Sequence, residues 1–289
     1  MKIILIHGMN QQQFNAAALK QYWLDILNQG IKSSKQGDQF KLDDLNMAFY
    51  ADLLETYKLH NVLKSTRLLP QTWQFLNFNR PQTVLHDNPL HSTVCNPDFT
   101  QPTFNFSSHL SHYAYSLEDH ILKDFTQLIN HFPKLHGQLI HKFLIETYMY
   151  LANTDFNQKV HQRLYNCFDS QQQNLIIAHS LGTVIAYNFL RLNPQFKIHT
   201  LITLGSPLAF RVIQEKIIPP IQRPSNILGQ WYNFYSAEDF LTAFPLQKAP
   251  FLFKPSIINQ MIHTFDQRPH HIAGYLQHPD VIQCILNNR

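Results

Sequence analysis

The chain has 289 residues, of which 44% are hydrophobic and only 15% are charged. This composition can build a large core, and it excludes a chain that is disordered throughout. The formal net charge of +4 is too small to indicate a nucleic-acid-binding protein. We expect a single domain over residues 1–289, since that length suits one large domain.

The cysteines and the N-terminus do not indicate an oxidising compartment or a membrane. Three cysteines lie far apart in the chain, which predicts neither a disulfide framework nor a Cys-x-x-Cys metal site. The first apolar run stops at His7 and Gly8, before a signal peptide would be complete. No run reaches the ~20 apolar residues of a membrane span. We expect a cytoplasmic protein, with export by a route that reads no N-terminal signal left open.

The predicted elements alternate between strands and helices. Continuous apolar runs predict strands covered on both faces, and Asn15 provides an N-cap for the first helix. This alternation favours an α/β fold, a three-layer sandwich around a mostly parallel sheet. The predicted strands are Lys2–Ile6, Leu45–Tyr50, Asn174–Ala178, His199–Leu204 and Trp231–Ser236, and the predicted helices are Asn15–Leu27, Leu181–Leu192 and Pro279–Leu286.

Residues 58–173 do not keep this alternation. Leu59–Ser108 is rich in proline, phenylalanine and histidine and predicts irregular structure, whereas Leu117–Phe168 is more helical. We interpret the block as a cap inserted over the carboxyl ends of the strands, where parallel sheets bind ligands. Its aromatic residues favour a lipophilic substrate and make the cap a candidate for peripheral membrane contact. The oligomeric state is not predicted.

The segment "LIIAHSLGTVIAY" contains the candidate nucleophile, Ser180. A serine on a tight strand-to-helix turn is exposed at the top of the sheet, where a base can activate it. Small residues two before and two after the serine let the strand and helix approach, and Ala178 and Gly182 occupy those positions. The alternative is that Ser180 is an ordinary helix N-cap.

Partners for this serine follow in the order acid and then histidine. Asp239 lies just beyond a predicted strand and is the preferred acid; Glu238 and Asp266 are the alternatives. His270 precedes the last packed segments and is the preferred base, with its neighbour His271 as the alternative. An aspartate in this place would hold the imidazole in one tautomer and stabilise the imidazolium.

An acyl-transfer intermediate also needs two N–H groups for its negative oxygen. The amide of Leu181, directly after the nucleophile, is one candidate. The amide of Met9, in the loop after the first strand, is the other. The alternative for the His7-Gly8 turn is that it only ends a strand.

The chain resembles the α/β-hydrolase superfamily, in its bacterial lipase/esterase-like branch. The segments that carry the resemblance are "IILIHGMN", "LIIAHSLGTVIAY", "LITLGSPLAF", "WYNFYSAEDFLTAFPL" and "PHHIAGYLQHPDV". The resemblance implies Ser180 as nucleophile, Asp239 as acid and His270 as base. It covers residues 1–55 and 174–289, and Ala178 departs from the Gly-x-Ser-x-Gly pattern.

These observations predict a serine hydrolase that cleaves a carboxylic ester through an acyl-enzyme. A lipid ester is the preferred substrate over a small soluble ester. An amidase, a thioesterase or a non-catalytic relative that binds a partner are the alternatives, because fold does not determine function. We expect no cofactor and no metal, since no zinc-like ligand spacing and no phosphate or dinucleotide motif is present.

Overall fold

A computed structural model describes residues 1–35, 37–56, 143, 146–147, 149–151, 153–239, 242, 244–265 and 267–289. The strands are β1 (Lys2–Ile6), β2 (Leu45–Ala48), β3 (Gln173–His179), β4 (Lys197–Leu204), β5 (Trp231–Tyr235) and β6 (Ile258–Met261). The helices are α1 (Ala16–Ser34), α2 (Ala51–Thr56), α3 (Thr154–Tyr165), α4 (Leu181–Leu192), α5 (Arg211–Gln214), α6 (Ile272–Leu276) and α7 (Pro279–Asn287).

The strands form one six-stranded sheet in the order β2-β1-β3-β4-β5-β6, and every neighbouring pair is parallel. The protein is therefore an α/β protein, as the alternation of elements predicts. All five predicted strands are present, each within two residues of its expected bounds. The sixth strand, β6, was not predicted, because its sequence "INQM" has no apolar run and it lies half-exposed at the sheet edge.

Side chains alternate between the two faces of the sheet, as the strand period requires. On one face, Ile3 and Leu5 of β1 belong to a core cluster with α1, α6 and α7. On the other face, Ile4 and Ile6 belong to a second cluster with α3 and α4. Helices thus cover both faces, which explains why the central strands are apolar along their whole length.

The boundaries of the helices follow local signals. Asn15 caps α1 by accepting a hydrogen bond from the Ala18 amide at 2.8 Å. The helix runs past its predicted end at Leu27 and stops at Lys35, which takes a left-handed conformation with φ of 55°. Gly30 lies inside α1, within about van der Waals distance of α7, so the extra turns are held by packing on that helix.

Most of the predicted cap, including residues 57–142, lies outside the described residues, so the cap stays a prediction. One described part of that block belongs to the core. Phe156, Val160 and Leu164 of α3 are buried in the same cluster as Ile176 of β3. Within the described residues, no helix has the length and apolar character needed to cross a bilayer.

The topology brings several loops to one edge of the sheet. Strands β1, β3, β4 and β5 are consecutive neighbours in the sheet, and all run in the same direction. The segments that follow them begin at His7, Ser180, Gly205 and Ser236. Polar residues far apart in sequence therefore meet above the carboxyl ends of these strands.

Candidate active site

Ser180 occupies a strained turn between β3 and α4. Its backbone has φ of 55° and ψ of −129°, a conformation that residues with a Cβ rarely adopt. Its side chain makes no capping hydrogen bond to the helix, and an N-cap serine would have extended backbone angles instead. Ser180 therefore precedes the helix without the geometry of an ordinary N-cap serine, and its backbone is compatible with the predicted nucleophile turn.

The strained turn is possible because the neighbouring backbones approach very closely. A Cβ added to Gly182 would lie 2.5 Å from the Ile6 carbonyl oxygen and even closer to that of His7. A Cβ added to Gly8 would lie 2.6 Å from Cβ of Ser180. Ala178, two residues before the serine, is fully buried within β3. The Gly-x-Ser-x-Gly pattern therefore has one position here that requires glycine and one that accepts a methyl group.

A continuous chain of hydrogen bonds connects Ser180, His270 and Asp239. Oγ of Ser180 lies 2.7 Å from Nε2 of His270, and Nδ1 of His270 lies 2.7 Å from Oδ2 of Asp239. Since a carboxylate only accepts, Nδ1 carries the proton in the neutral imidazole and Nε2 is free to accept from the serine hydroxyl. The structure thus brings together the three residues that sequence analysis placed in this order.

Asp239 is fully buried and has a second donor near its carboxylate. The Tyr275 hydroxyl donates to Oδ2 of Asp239 at 2.6 Å. Burial and the charge of Asp239 hold the pKa of Tyr275 well above its usual value, so this hydroxyl keeps its proton. Gly205, with φ of 55°, leaves the space beside Oδ2, because a Cβ there would lie 3.2 Å from this oxygen.

The alternative acid, Glu238, points to a different set of partners. It accepts hydrogen bonds from the Ser236 hydroxyl and from His263 Nδ1, the latter at 3.0 Å. Burial opposes ionisation of Glu238, but these two hydrogen bonds hold its pKa below the usual value. Asp266, the other alternative, lies outside the described residues.

The alternative base, His271, has both ring nitrogens engaged away from Ser180. Its Nδ1 accepts from the Ala273 amide at 3.2 Å and caps α6. Its Nε2 lies 3.2 Å from the Tyr22 hydroxyl. The two adjacent histidine side chains therefore point in different directions: His270 faces Ser180, and His271 faces α1 and α6.

Of the two predicted oxyanion donors, Leu181 directly follows Ser180 and Met9 follows Gly8, which approaches the serine. The Leu181 amide is the first of α4, where backbone N–H groups have no intrahelical acceptor. Met9 is buried and follows Gly8, whose backbone packs directly on the serine. The Leu181 amide lies at the positive end of α4, which suits an anion that forms at Ser180.

Two residues that contact the chain of Ser180, His270 and Asp239 were not among the predicted site residues. His179 stacks on His270, with ring centroids 4.8 Å apart, and its Nε2 lies 3.1 Å from the His270 carbonyl oxygen. Burial and the nearby histidines keep the pKa of His179 well below its usual value, so it is a neutral partner. Tyr275 is the other residue. The only sequence signal for these two contacts was chain position: His179 directly precedes Ser180, and Tyr275 follows His270 in the next helix.

Among the described residues, no group of three or more His, Cys, Asp or Glu side chains could hold a metal ion.

Comparison with known proteins adds no assignment. No protein-family model matches the chain, and no curated protein matches its sequence. The interpretation of this site therefore depends on the geometry of its own residues.

Proposed function

We propose that the protein is a serine hydrolase that cleaves carboxylic esters through an acyl-enzyme. The observation that carries the proposal is the chain of hydrogen bonds from Asp239 to His270 to Ser180, with both steps at 2.7 Å. A serine hydroxyl becomes a nucleophile when a base takes its proton, and this arrangement supplies the base and the group that orients it.

In the first half of the proposed reaction, Oγ of Ser180 attacks the acyl carbon while Nε2 of His270 accepts the hydroxyl proton. Asp239 stabilises the imidazolium through Nδ1. The amides of Leu181 and Met9 donate to the oxygen that becomes negative. The tetrahedral intermediate then breaks its bond to the alcohol oxygen, and His270 returns the proton to that leaving group.

In the second half, a water molecule takes the place of the alcohol. His270 accepts a proton from the water, whose oxygen attacks the acyl carbon of the acyl-enzyme. The same two amides stabilise the second intermediate. Loss of the serine oxygen, with return of the proton from His270, gives the carboxylic acid and restores Ser180. The net reaction consumes one ester and one water and yields one acid and one alcohol.

We further propose a lipophilic substrate. Phe244 and Phe265 support it: they lie in the segments that follow β5 and β6, and 55% and 49% of their surfaces are exposed. Phe244 packs edge-on against Phe210, with ring centroids 6.5 Å apart. Exposed aromatic rings in segments that follow the strands offer an apolar surface for an acyl chain.

The family assignment is likewise a proposal: we infer a divergent member of the α/β-hydrolase superfamily, in its lipase/esterase-like branch. Two features support the inference. Helices cover both faces of a parallel sheet, and the nucleophile, acid and base occur in the chain order Ser180, Asp239, His270.

Labelling with a fluorophosphonate tests the proposed activity. We expect the folded protein to react covalently at Ser180 and to hydrolyse p-nitrophenyl esters, and we expect S180A to do neither. The matched control is S206A, since Ser206 is a buried neighbour whose hydroxyl bonds to Thr183 at 2.8 Å and not to His270. An unlabelled Ser180 in folded protein would refute the enzyme proposal.

A series of esters of rising chain length tests the proposed lipophilic substrate, because turnover confined to short soluble esters contradicts it.

A further inference from the structure

The loop that carries the Met9 amide is held by a residue from a distant part of the chain. Glu146 is 3% exposed, and its carboxylate accepts from the backbone amide of Asn10, at 3.0 Å to Oε2 and 3.3 Å to Oε1. Oε1 also accepts from Nε2 of Gln12 at 2.8 Å. A buried carboxylate thus gathers donors from the loop directly after Gly8.

These contacts act on the peptide next to the proposed oxyanion donor. The Met9 carbonyl and the Asn10 amide belong to one peptide plane, because the peptide bond is rigid. Glu146 holds the amide end of that plane, and Nε2 of Gln11 donates to the carbonyl end at 2.9 Å. The Met9 N–H belongs to the preceding peptide plane, and fixing the plane that follows Met9 limits the rotation about this residue that would tilt the N–H.

Asn10 takes an uncommon backbone conformation at the point where Glu146 contacts the loop. Its φ of 59° lies in the left-handed region, which few residues with a Cβ adopt and which asparagine tolerates better than most. The amide that Glu146 accepts from is the amide of this same residue, so the contact and the unusual backbone occur together.

The other end of the loop is held by an independent set of contacts. Nε2 of His7 accepts from the Tyr50 amide at 3.2 Å, so the ring proton is on Nδ1, which donates to the Gly8 carbonyl at 2.7 Å. Burial lowers the pKa of His7 to about 4, so this tautomer is neutral at neutral pH. The Tyr50 hydroxyl donates to the His7 carbonyl. The Gly8 carbonyl shares a peptide plane with the Met9 N–H, so His7 holds one side of the donor and Glu146 holds the other.

We propose that Glu146 is a positioning residue that aims the Met9 amide at the oxyanion. The inference rests on the proposed function. It assigns to the chain between β2 and β3 a direct part in the reaction: Glu146 holds the second donor in place, while Leu181 is held by α4. The donor is needed in the transition state and not for substrate binding, so loss of Glu146 lowers kcat and leaves KM unchanged.

The full-length chain tests this with E146Q. An amide in this place carries no charge, and its NH2 group replaces one of the two carboxylate oxygens that accept from Asn10 and Gln12. We expect kcat for a p-nitrophenyl ester to fall about 10- to 100-fold, less than the about 100- to 1,000-fold loss from removing an oxyanion donor outright. KM should stay within about twofold. The affinity for phenylboronic acid, whose tetrahedral adduct occupies the same donors, should weaken in parallel with kcat.

The double variant E146Q/Q12E is the matched rescue. It keeps one carboxylate and one amide in contact but exchanges their positions, so the amide at 146 can accept from Asn10 and donate to the carboxylate at 12. We expect it to recover most of the lost kcat, which a general loss of folding would not do. Q12A, which removes only the partly exposed donor, provides a milder variant should E146Q alone fail to fold; we expect it to lower kcat and phenylboronic acid affinity together, with KM unchanged.

The outcomes separate the two proposals. A wild-type protein that reacts with fluorophosphonate, together with folded E146Q or Q12A of unchanged kcat and phenylboronic acid affinity, overturns the role of Glu146 alone. A double variant that stays as slow as E146Q also overturns it. A folded wild-type protein that neither reacts with fluorophosphonate nor hydrolyses esters overturns the proposed function, and the role of Glu146 with it.

Discussion

Gly182→Ala is the sharpest test of how the nucleophile turn is built. The added Cβ would lie 2.5 Å from the Ile6 carbonyl oxygen, and closer still to that of His7. Ile6 has little freedom to move, because it is paired with Ala48 on one side and with Ala178 on the other. Helix α4 must therefore move away from β1.

The size of that movement sets the expected effect. Ordinary contact begins near 3.4 Å, so α4 must shift by at least about 0.9 Å, and overpacking of this kind costs about 1–3 kcal/mol of stability. Ser180 sits at the first turn of the helix and would move with it. Because a misplacement of about 1 Å can cost about 100-fold in rate, we expect G182A to lower kcat by roughly that factor.

The assay compares G182A with A178G. Both variants change one methyl group two residues from Ser180, but A178G removes a methyl from β3 and creates no overlap. It should lose only roughly 0.5–1 kcal/mol, the usual cost of glycine within a strand, and react with fluorophosphonate at close to the wild-type rate. Thermal melting and the labelling rate of both variants are measured together. G182A that labels as fast as wild type would show that the close approach to β1 does not position the nucleophile.

Two further predictions use neighbouring residues and pH. H270A and D239N should each abolish most ester hydrolysis, whereas H271A and E238Q should keep it; a loss confined to the second pair would reverse both assignments. His161 has its pKa lowered from 6.5 to about 4 by burial, so between those values the unfolded chain binds more protons than the folded one. Stability should therefore fall as pH drops through that window, by about 2 kcal/mol from this residue between pH 7 and pH 5. Urea unfolding of H161Q should show that much less acid sensitivity, and an unchanged pH dependence would contradict the burial argument.

The sequence alone predicted the framework of this protein. Apolar runs such as Lys2–Ile6 and His199–Leu204 predict strands that are buried on both faces. Alternate residues of each strand point to opposite faces of the sheet and enter the two core clusters, so both sets must be apolar. The limits of α4 at Leu181 and Leu192 follow from local signals as well. β6 was missed because an edge strand with polar, half-exposed residues carries no such pattern.

Local sequence also placed Ser180, Asp239 and His270 after the right elements, but not in contact. Contact depends on the sheet, since neighbouring parallel strands bring the loops after β3 and β5 to one edge. The choice between adjacent candidates, His270 or His271 and Asp239 or Glu238, also depends on the tertiary structure. Packing on α1 and α6 turns His271 away, and hydrogen bonds to Ser236 and His263 hold Glu238.

The residues that support the site could be found only from the tertiary structure. Tyr275 reaches Asp239 across 36 positions of the chain, and Glu146 reaches Asn10 across 136. Neither contact leaves a periodic or motif-like trace in the sequence, because each depends on how separate elements pack and not on local spacing. Sequence determined which residues could do chemistry here, and packing decided which of them meet and what holds them in place.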